Sequence, residues 1–131
     1  MSEIPAGLLY TDDHEYLKHA DEDGEFFVGI TEYAQGELGD VVFLELPSVG
    51  DSFERGETFG TIEAVKAVSD LFSPVTGEVV AVNGALDDDP SLVNSEPYEG
   101  GWMVRMRSTD SSEVDALLSA EDYRAHIGPG A

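Results

Sequence analysis

The sequence contains no cysteine. That excludes disulfide stapling, thiolate nucleophiles and cysteine-ligated metals, so any redox chemistry has to arrive on a cofactor. Positive charge is also scarce: 6 basic residues face 28 acidic ones in 131, for a formal net charge of −22. A field of that sign repels phosphate backbones and anionic lipid, and so argues against nucleic acid and membrane partners. Lysine is reduced to Lys18 and Lys66, which leaves two side chains and the α-amine for any amine chemistry. The apolar runs, such as Val79-Val80-Ala81-Val82, fall far short of the ~20 residues of a membrane-spanning helix. Met1-Ser2-Glu3-Ile4-Pro5 has no basic region ahead of an apolar one, and its acidity is unlike a transit peptide. A cytoplasmic location is the expectation.

What is present reads as a globular chain. Hydrophobic residues make up 41%, enough for one modest core, and residues 1–131 are expected to form a single domain ordered from about 8 to 127, with 1–7 and 128–131 frayed. The acids are spread through Asp12-Asp13, Asp21-Glu22-Asp23, Asp87-Asp88-Asp89 and Glu121-Asp122. Such a distribution suits a solvated surface in concentrated salt, where self-repulsion is screened. Asp87-Asp88-Asp89 lacks the spaced ligands and glycine of a calcium loop. His14, His19 and His126 are too far apart in sequence for a metal-site spacing, so no metal is expected.

The pattern predicts mainly β structure. Strands are expected over 26–30, 41–46, 58–63, 67–72, 77–82 and 102–107, with turn signals such as Ser48 to Asp51, Ser73-Pro74 and Asn83-Gly84 between most of them. Many short strands with regular turns favour a barrel or sandwich. A short helix is expected over 31–38, with Thr31 as N-cap and Gly39 just past its end. Near the C-terminus Val114, Leu117 and Leu118 have helical spacing, and Ser119-Ala120-Glu121-Asp122 opens a further helix that Gly128-Pro129 ends. Glu37 to Val42 weakly resembles Thr76 to Val80, a hint of internal duplication.

The informative segment is Gly60-Thr61-Ile62-Glu63-Ala64-Val65-Lys66-Ala67-Val68-Ser69-Asp70. Two β-prone runs flank Lys66, so a hairpin would place it at or near the tip, facing solvent between small neighbours. A modifying enzyme could reach such an amine. By spacing alone, an ordinary solvated turn lysine remains the simpler reading.

The run Glu63-Ala64-Val65-Lys66-Ala67 resembles the Glu-Ser-Val-Lys-Ala lipoylation motif of glycine cleavage H proteins, with Ala64 in place of serine. Ser73-Pro74-Val75-Thr76-Gly77-Glu78-Val79 is similar to the continuation of that motif. Tyr10-Thr11-Asp12-Asp13-His14-Glu15-Tyr16 resembles the family's opening block, with Tyr16 where tryptophan is usual. Gly29 to Gln35, Gly39 to Pro47, Leu92 to Tyr98, Gly101-Trp102 and Leu117 to Tyr123 match further blocks in the expected order. The likeness runs from about Leu8 to Ile127.

The resemblance implies a flattened β-barrel of the lipoyl and biotinyl type (a barrel-sandwich hybrid), with a short internal helix and C-terminal helices. It implies a carrier without catalytic residues, bearing lipoate in amide linkage on Lys66. The arm would take the aminomethyl group of glycine from a pyridoxal-phosphate glycine decarboxylase to an aminomethyltransferase that uses tetrahydrofolate. A flavin (FAD) dihydrolipoamide dehydrogenase would then reoxidise it, and a lipoyl-attaching enzyme would load it first. Tethering makes such encounters intramolecular in effect. Carried over by position, the cleft for the loaded arm falls on Asp13, Glu15 and Asp70, with Ile30 and Leu38 as apolar lining. Carboxylates suit the arm's ammonium; they are equally read as members of the acidic surface. His14 is read as structural, and Trp102 and Tyr98 as packing residues. Other readings stay open: a biotin-accepting module, although Val65 and Ala67 stand where methionines are usual; a lipoyl domain cut from a larger acyltransferase, although such domains are shorter and lack the Tyr10–Tyr16 block and the C-terminal helices; an H-like protein that relays lipoyl groups; and an unmodified acidic binding module.

Overall fold

The structure, a computed structural model, describes residues 4–20, 22 and 24–128. Nine strands and five short helices follow one another in the described residues. The strands are β1 (Leu9–Tyr10), β2 (Glu15–His19), β3 (Glu25–Ile30), β4 (Val41–Glu45), β5 (Ser52–Phe53), β6 (Thr58–Ala64), β7 (Val68–Phe72), β8 (Gly77–Val82) and β9 (Val104–Ser108). The helices are α1 (Glu32–Leu38), α2 (Ala85–Asp88), α3 (Leu92–Ser95), α4 (Ser111–Asp115) and α5 (Ala120–Ile127). A six-stranded sheet runs in the order β1-β2-β3-β9-β8-β5, and a three-stranded sheet runs β4-β6-β7. Every pairing is antiparallel. This is the mainly β architecture that the pattern predicts, with the barrel-sandwich form that the resemblance implies.

The inward positions of both sheets make one core. Leu17, Phe26, Val28 and Ile30 come from β2 and β3, and Val79, Val104 and Met106 from β8 and β9. They meet Val41, Leu44, Phe59, Ile62 and Leu71 of the smaller sheet. The strand period of two puts most of these residues on one face, with a bulge between Val41 and Phe43 in β4. A second cluster holds Ile4, Tyr10, Tyr16, Tyr98 and Tyr123, and it fastens α5 to the N-terminal segment. Tyr10 and Tyr123 stack with ring centroids 4.8 Å apart.

Helix α1 has the caps its sequence predicts. The Thr31 hydroxyl accepts from the Ala34 amide at 3.2 Å, and Gly39 closes the helix at φ 82° with its N–H on the Gln35 carbonyl. Helix α5 likewise starts at Ser119, whose hydroxyl accepts from the Asp122 amide. Two expectations change. First, Val114, Leu117 and Leu118 do not share a helix. Helix α4 ends at Asp115, and Leu118 instead exchanges two 2.8 Å backbone hydrogen bonds with Tyr10, so sheet-edge pairing overrides the helical spacing. Second, residues 4–7 are not a loose end: Ile4 is buried, and the Pro5 carbonyl accepts from the Tyr10 hydroxyl. Residues 1–3 and 129–131, and Asp21 and Asp23 of the acidic run, lie outside the described residues. Asn83-Gly84 is a turn, as its sequence signals. Asn83 donates to the Gly100 and Trp102 carbonyls and accepts from the Ala85 amide, turning the chain into α2.

Candidate functional site

Strands β6 and β7 form the hairpin that carries Lys66, with Glu63 opposite Val68 in register. The Ala64 amide donates to the Ala67 carbonyl at 2.9 Å, which leaves Val65 and Lys66 as the two residues at the apex. Both are exposed. The apex does not hang free. The Val65 amide donates to the Asp40 carbonyl at 2.9 Å, and the Lys66 amide to the Leu38 carbonyl at 3.2 Å. The turn is thereby bolted to the C-terminal end of α1. Gly39 sits under the lysine stem: a Cβ at that position would lie 3.2 Å from Lys66 Cγ and 3.3 Å from Cδ. The left-handed φ of Gly39 and this close approach both call for glycine.

Asn94 of α3 secures the same platform. Its amide donates to Gln35 Oε1 at 2.8 Å and to the Gly39 carbonyl at 2.9 Å, while its Oδ1 accepts from the Val41 amide at 2.8 Å. The sequence reading used Asn94 only as part of a matching block. The signal for its role is the side chain's capacity to donate twice and accept once at a junction of helix and strand, which only the fold reveals.

A cleft of about 250 Å³ opens beside this platform. Helix α1 contributes Tyr33, Ala34, Glu37 and Leu38; β7 contributes Ser69, Asp70 and Leu71; and Asp13, His14, Glu15, Ile30 and Ile62 complete it. Asp13, Glu15, Ile30, Leu38 and Asp70, which are scattered over 58 positions of sequence, thus line a single depression. Asp13 and Asp70 are exposed at its margin. Ile30, Ile62 and Glu15 are buried in its floor.

Glu15 is the unusual member. It is 2% exposed, and its carboxylate has no ion pair among the described residues. The Thr11 hydroxyl donates to Oε1 at 3.1 Å and the Phe72 amide to Oε2 at 3.2 Å. These two donors, which favour the charged form, are outweighed by burial. Desolvation raises its pKa from 4.5 to about 8, with Asp13 and Asp12 adding to the rise. The contrast is Glu25, also buried, which pairs with Arg105 at 2.7 Å and Arg107 at 3.4 Å. Among the described residues, the cleft therefore holds a buried acid with space beside it and no lysine or arginine.

His14 forms the adjoining wall. It is the one non-glycine described residue with positive φ, 71°, and it stands between Asp13 and Glu15. Its Nδ1 lies 2.8 Å from the Tyr123 hydroxyl, which lies 2.8 Å from Thr31 Oγ1. Burial lowers the His14 pKa, with nearby His126 pushing the same way and Asp13, Asp12 and Glu37 opposing. Burial also raises the Tyr123 pKa to about 12. Although far apart in sequence, His14 and His126 have ring centroids only 5.9 Å apart. No group of three or more His, Cys, Asp or Glu suited to a metal occurs among the described residues. No helix there is long and apolar enough to cross a membrane.

Comparison with known proteins assigns this arrangement to a family. The glycine cleavage H-protein family model matches residues 8–129. A glycine cleavage system H protein of Listeria innocua serovar 6a is 52% identical over 120 residues, covering 92% of this chain and 94% of its own. One from Bacillus cereus strain B4264 is 54% identical over 120 residues, covering 92% and 93%. The crystal structure of a glycine cleavage system H protein from Mycobacterium marinum superposes with a TM-score of 0.83 at 39% identity, covering 95% of this chain and 98% of that one. The chain belongs to the glycine cleavage H-protein family, the lipoyl carriers of the glycine cleavage system.

Proposed function

We propose that Lys66 is the lipoyl acceptor and that the cleft beside it shelters the end of the loaded arm. The observation that carries the reading is the pairing of an exposed lysine at a hairpin apex with a neighbouring cleft whose buried acid has no lysine or arginine beside it among the described residues. Lipoate in amide linkage to that amine would supply a dithiolane for aminomethyl transfer and for thiol–disulfide exchange. The residues present fit such an arm. Ala64 and Ala67 leave the apex uncrowded, and Ala34, Leu38 and Ile30 give an apolar course along α1. The seven residues of α1 rise about 10 Å, a span that a lysine stem extended by an acyl chain would cover.

At the far end the chain's own groups do the work. Glu15 accepts a hydrogen bond from a terminal ammonium and forms a charge-assisted pair in low dielectric. Asp70 and Asp13, at the margin, favour the same cation. The apolar floor keeps water from the labile carbon–nitrogen bond. The partners are the enzymes of the same system: a pyridoxal-phosphate glycine decarboxylase, a tetrahydrofolate-dependent aminomethyltransferase, an FAD dihydrolipoamide dehydrogenase and a lipoyl-attaching enzyme. The protein itself supplies position and electrostatics rather than catalysis.

Intact mass measurement of protein from its native cell tests the acceptor directly. A lipoyl increment mapping to Lys66 is expected. A biotin increment, or no increment, would point to the other carriers or to an unmodified module. Lys66→Arg should abolish glycine-dependent carbon dioxide exchange, and retained exchange refutes the assignment.

A further inference from the structure

The apex of the hairpin is surrounded by apolar side chains that the fold leaves uncovered. Val42, Phe43, Val65 and Val68 are 55%, 53%, 71% and 69% exposed. Apart from Val49, they are the exposed large hydrophobic residues among those described. On a surface this rich in carboxylates such clustering is not scatter. The register explains it. Phe43 pairs with Glu63, and Glu63 with Val68, so the three stand in one row across the outer face of the smaller sheet. The bulge between Val41 and Phe43 turns Val42 outward beside them, and Val65 adjoins Lys66 at the tip. Acids hem the patch: Glu63 lies within the row, and Glu45 and Asp70 flank Thr61 in the next.

Resting on the assignment of Lys66 as acceptor, we propose that this patch is the docking surface for the enzyme that acylates Lys66. Contiguous exposed apolar surface marks an interaction site. A second copy of this chain is disfavoured, because it would set one −22 body against another. The complementary partner offers apolar side chains ringed by Lys and Arg. Geometry selects which partner that is. The acylating enzyme must bring its carbonyl carbon to bonding distance of Nζ, so it has to cover the surface within one lysine length of the apex. Enzymes acting on the far end of the finished arm can stand clear of it. In the acylation step, neutral Nζ attacks the carbonyl carbon of lipoyl adenylate. The N–C amide bond forms as the acyl–oxygen bond breaks; AMP leaves with the electron pair, and the amine proton passes to solvent.

The test uses the full apo chain with a lipoate–protein ligase of the same organism, lipoate and ATP, read by intact mass. Phe43→Thr/Val68→Thr places a β-branched residue, which strands favour, at both positions. Val65→Thr alters the apex alone, and Val49→Thr is a control away from the patch. The expected result is a rise of about tenfold or more in KM for the double variant, a smaller rise for Val65→Thr, kcat within twofold, and no change for Val49→Thr. A KM within twofold of wild type for the double variant overturns the proposal while leaving Lys66 as acceptor. So does a fall in kcat at unchanged KM, which would place these residues at the reacting centre rather than in docking. If the wild-type chain gains no lipoyl mass at all, the carrier reading of Lys66 fails and this proposal with it.

Discussion

Glu15→Gln separates the burial of an acid from every other acidic feature of this protein. In the free protein the Glu15 pKa is raised from 4.5 to about 8, chiefly by desolvation. A raised folded-state pKa means that the folded protein holds a proton the unfolded chain has released. Stability from this group is therefore complete below pH 4.5, is lost as pH rises, and is gone above about 8. At ~1.36 kcal/mol for each tenfold change in proton affinity, the displacement amounts to about 4–5 kcal/mol across that window. Glutamine mimics the protonated acid. Its Oε1 can accept from the Phe72 amide, which keeps that hydrogen bond, while its Nε2 donates to the Thr11 hydroxyl in a contact of reversed direction. Thermal melts of both proteins from pH 5 to 8 should diverge: wild type loses stability relative to the variant, by about 2–4 °C in Tm per kcal/mol. The loaded arm should respond with the opposite sign, because its ammonium needs the carboxylate. Ammonia release from methylamine-loaded wild type should slow as pH rises towards 8, by up to about tenfold per pH unit. In Glu15→Gln, release should be fast and free of that dependence. Parallel melting curves, or an unchanged release profile, refute the argument.

Other perturbations follow from the same contacts. Tyr123→Phe removes the hydroxyl that joins His14 to Thr31. It should cost about 1–3 kcal/mol in chemical denaturation and shorten the lifetime of the loaded arm, because the backbone at His14 sets the direction of Asp13 and Glu15. Gly39→Ala combines a positive φ with a 3.2 Å approach to the Lys66 stem. A loss of about 1–3 kcal/mol is expected, together with slower lipoylation measured by intact mass. Asn94→Ala leaves the Val41 amide and the Gly39 carbonyl without their partner and should cost about 1–3 kcal/mol in the same denaturation assay. Stability should rise with potassium chloride, as screening contracts from ~10 Å at 0.1 M to ~3 Å at 1 M; a Tm independent of salt would contradict self-repulsion as the governing term.

Much of the fold was legible because the strands that build the core declare themselves. Val41-Val42-Phe43-Leu44 and Gly77 to Val82 are apolar, β-branched and bounded by turn residues. Thr31 and Gly39 announce α1 by side-chain chemistry that needs no tertiary context. The elements that escaped are those whose pairing is decided elsewhere. Strand β2, Glu15-Tyr16-Leu17-Lys18-His19, has charged residues at two of its five positions, and it is a strand because all five residues pair with β3. Strand β5 has only two residues and is defined by Glu78 and Gly77 opposite it. Leu117 and Leu118 show the converse failure, where local spacing suggested a helix and a two-bond bridge to Tyr10 prevailed.

The site divides along the same line, and the reason lies in the composition. Lys66 stands out in a sequence that retains two lysines, so scarcity and motif point to one atom. Glu15 has the opposite problem, since it is one of 28 acids and charge alone cannot distinguish it from Asp87 or Glu121. What sets it apart is the loss of water around it, and that depends on Ile30 opposite it across the sheet and on Leu71 and Ile62, distant in sequence, lining the same cleft. A surface carboxylate in this protein meets abundant solvent and is nearly interchangeable with its neighbours. A buried one costs stability unless something cationic arrives. The fold tolerates that cost at Glu15 while supplying two arginines to Glu25. The difference between those two buried acids, rather than the overall charge, is the physical ground for placing an ammonium in the cleft.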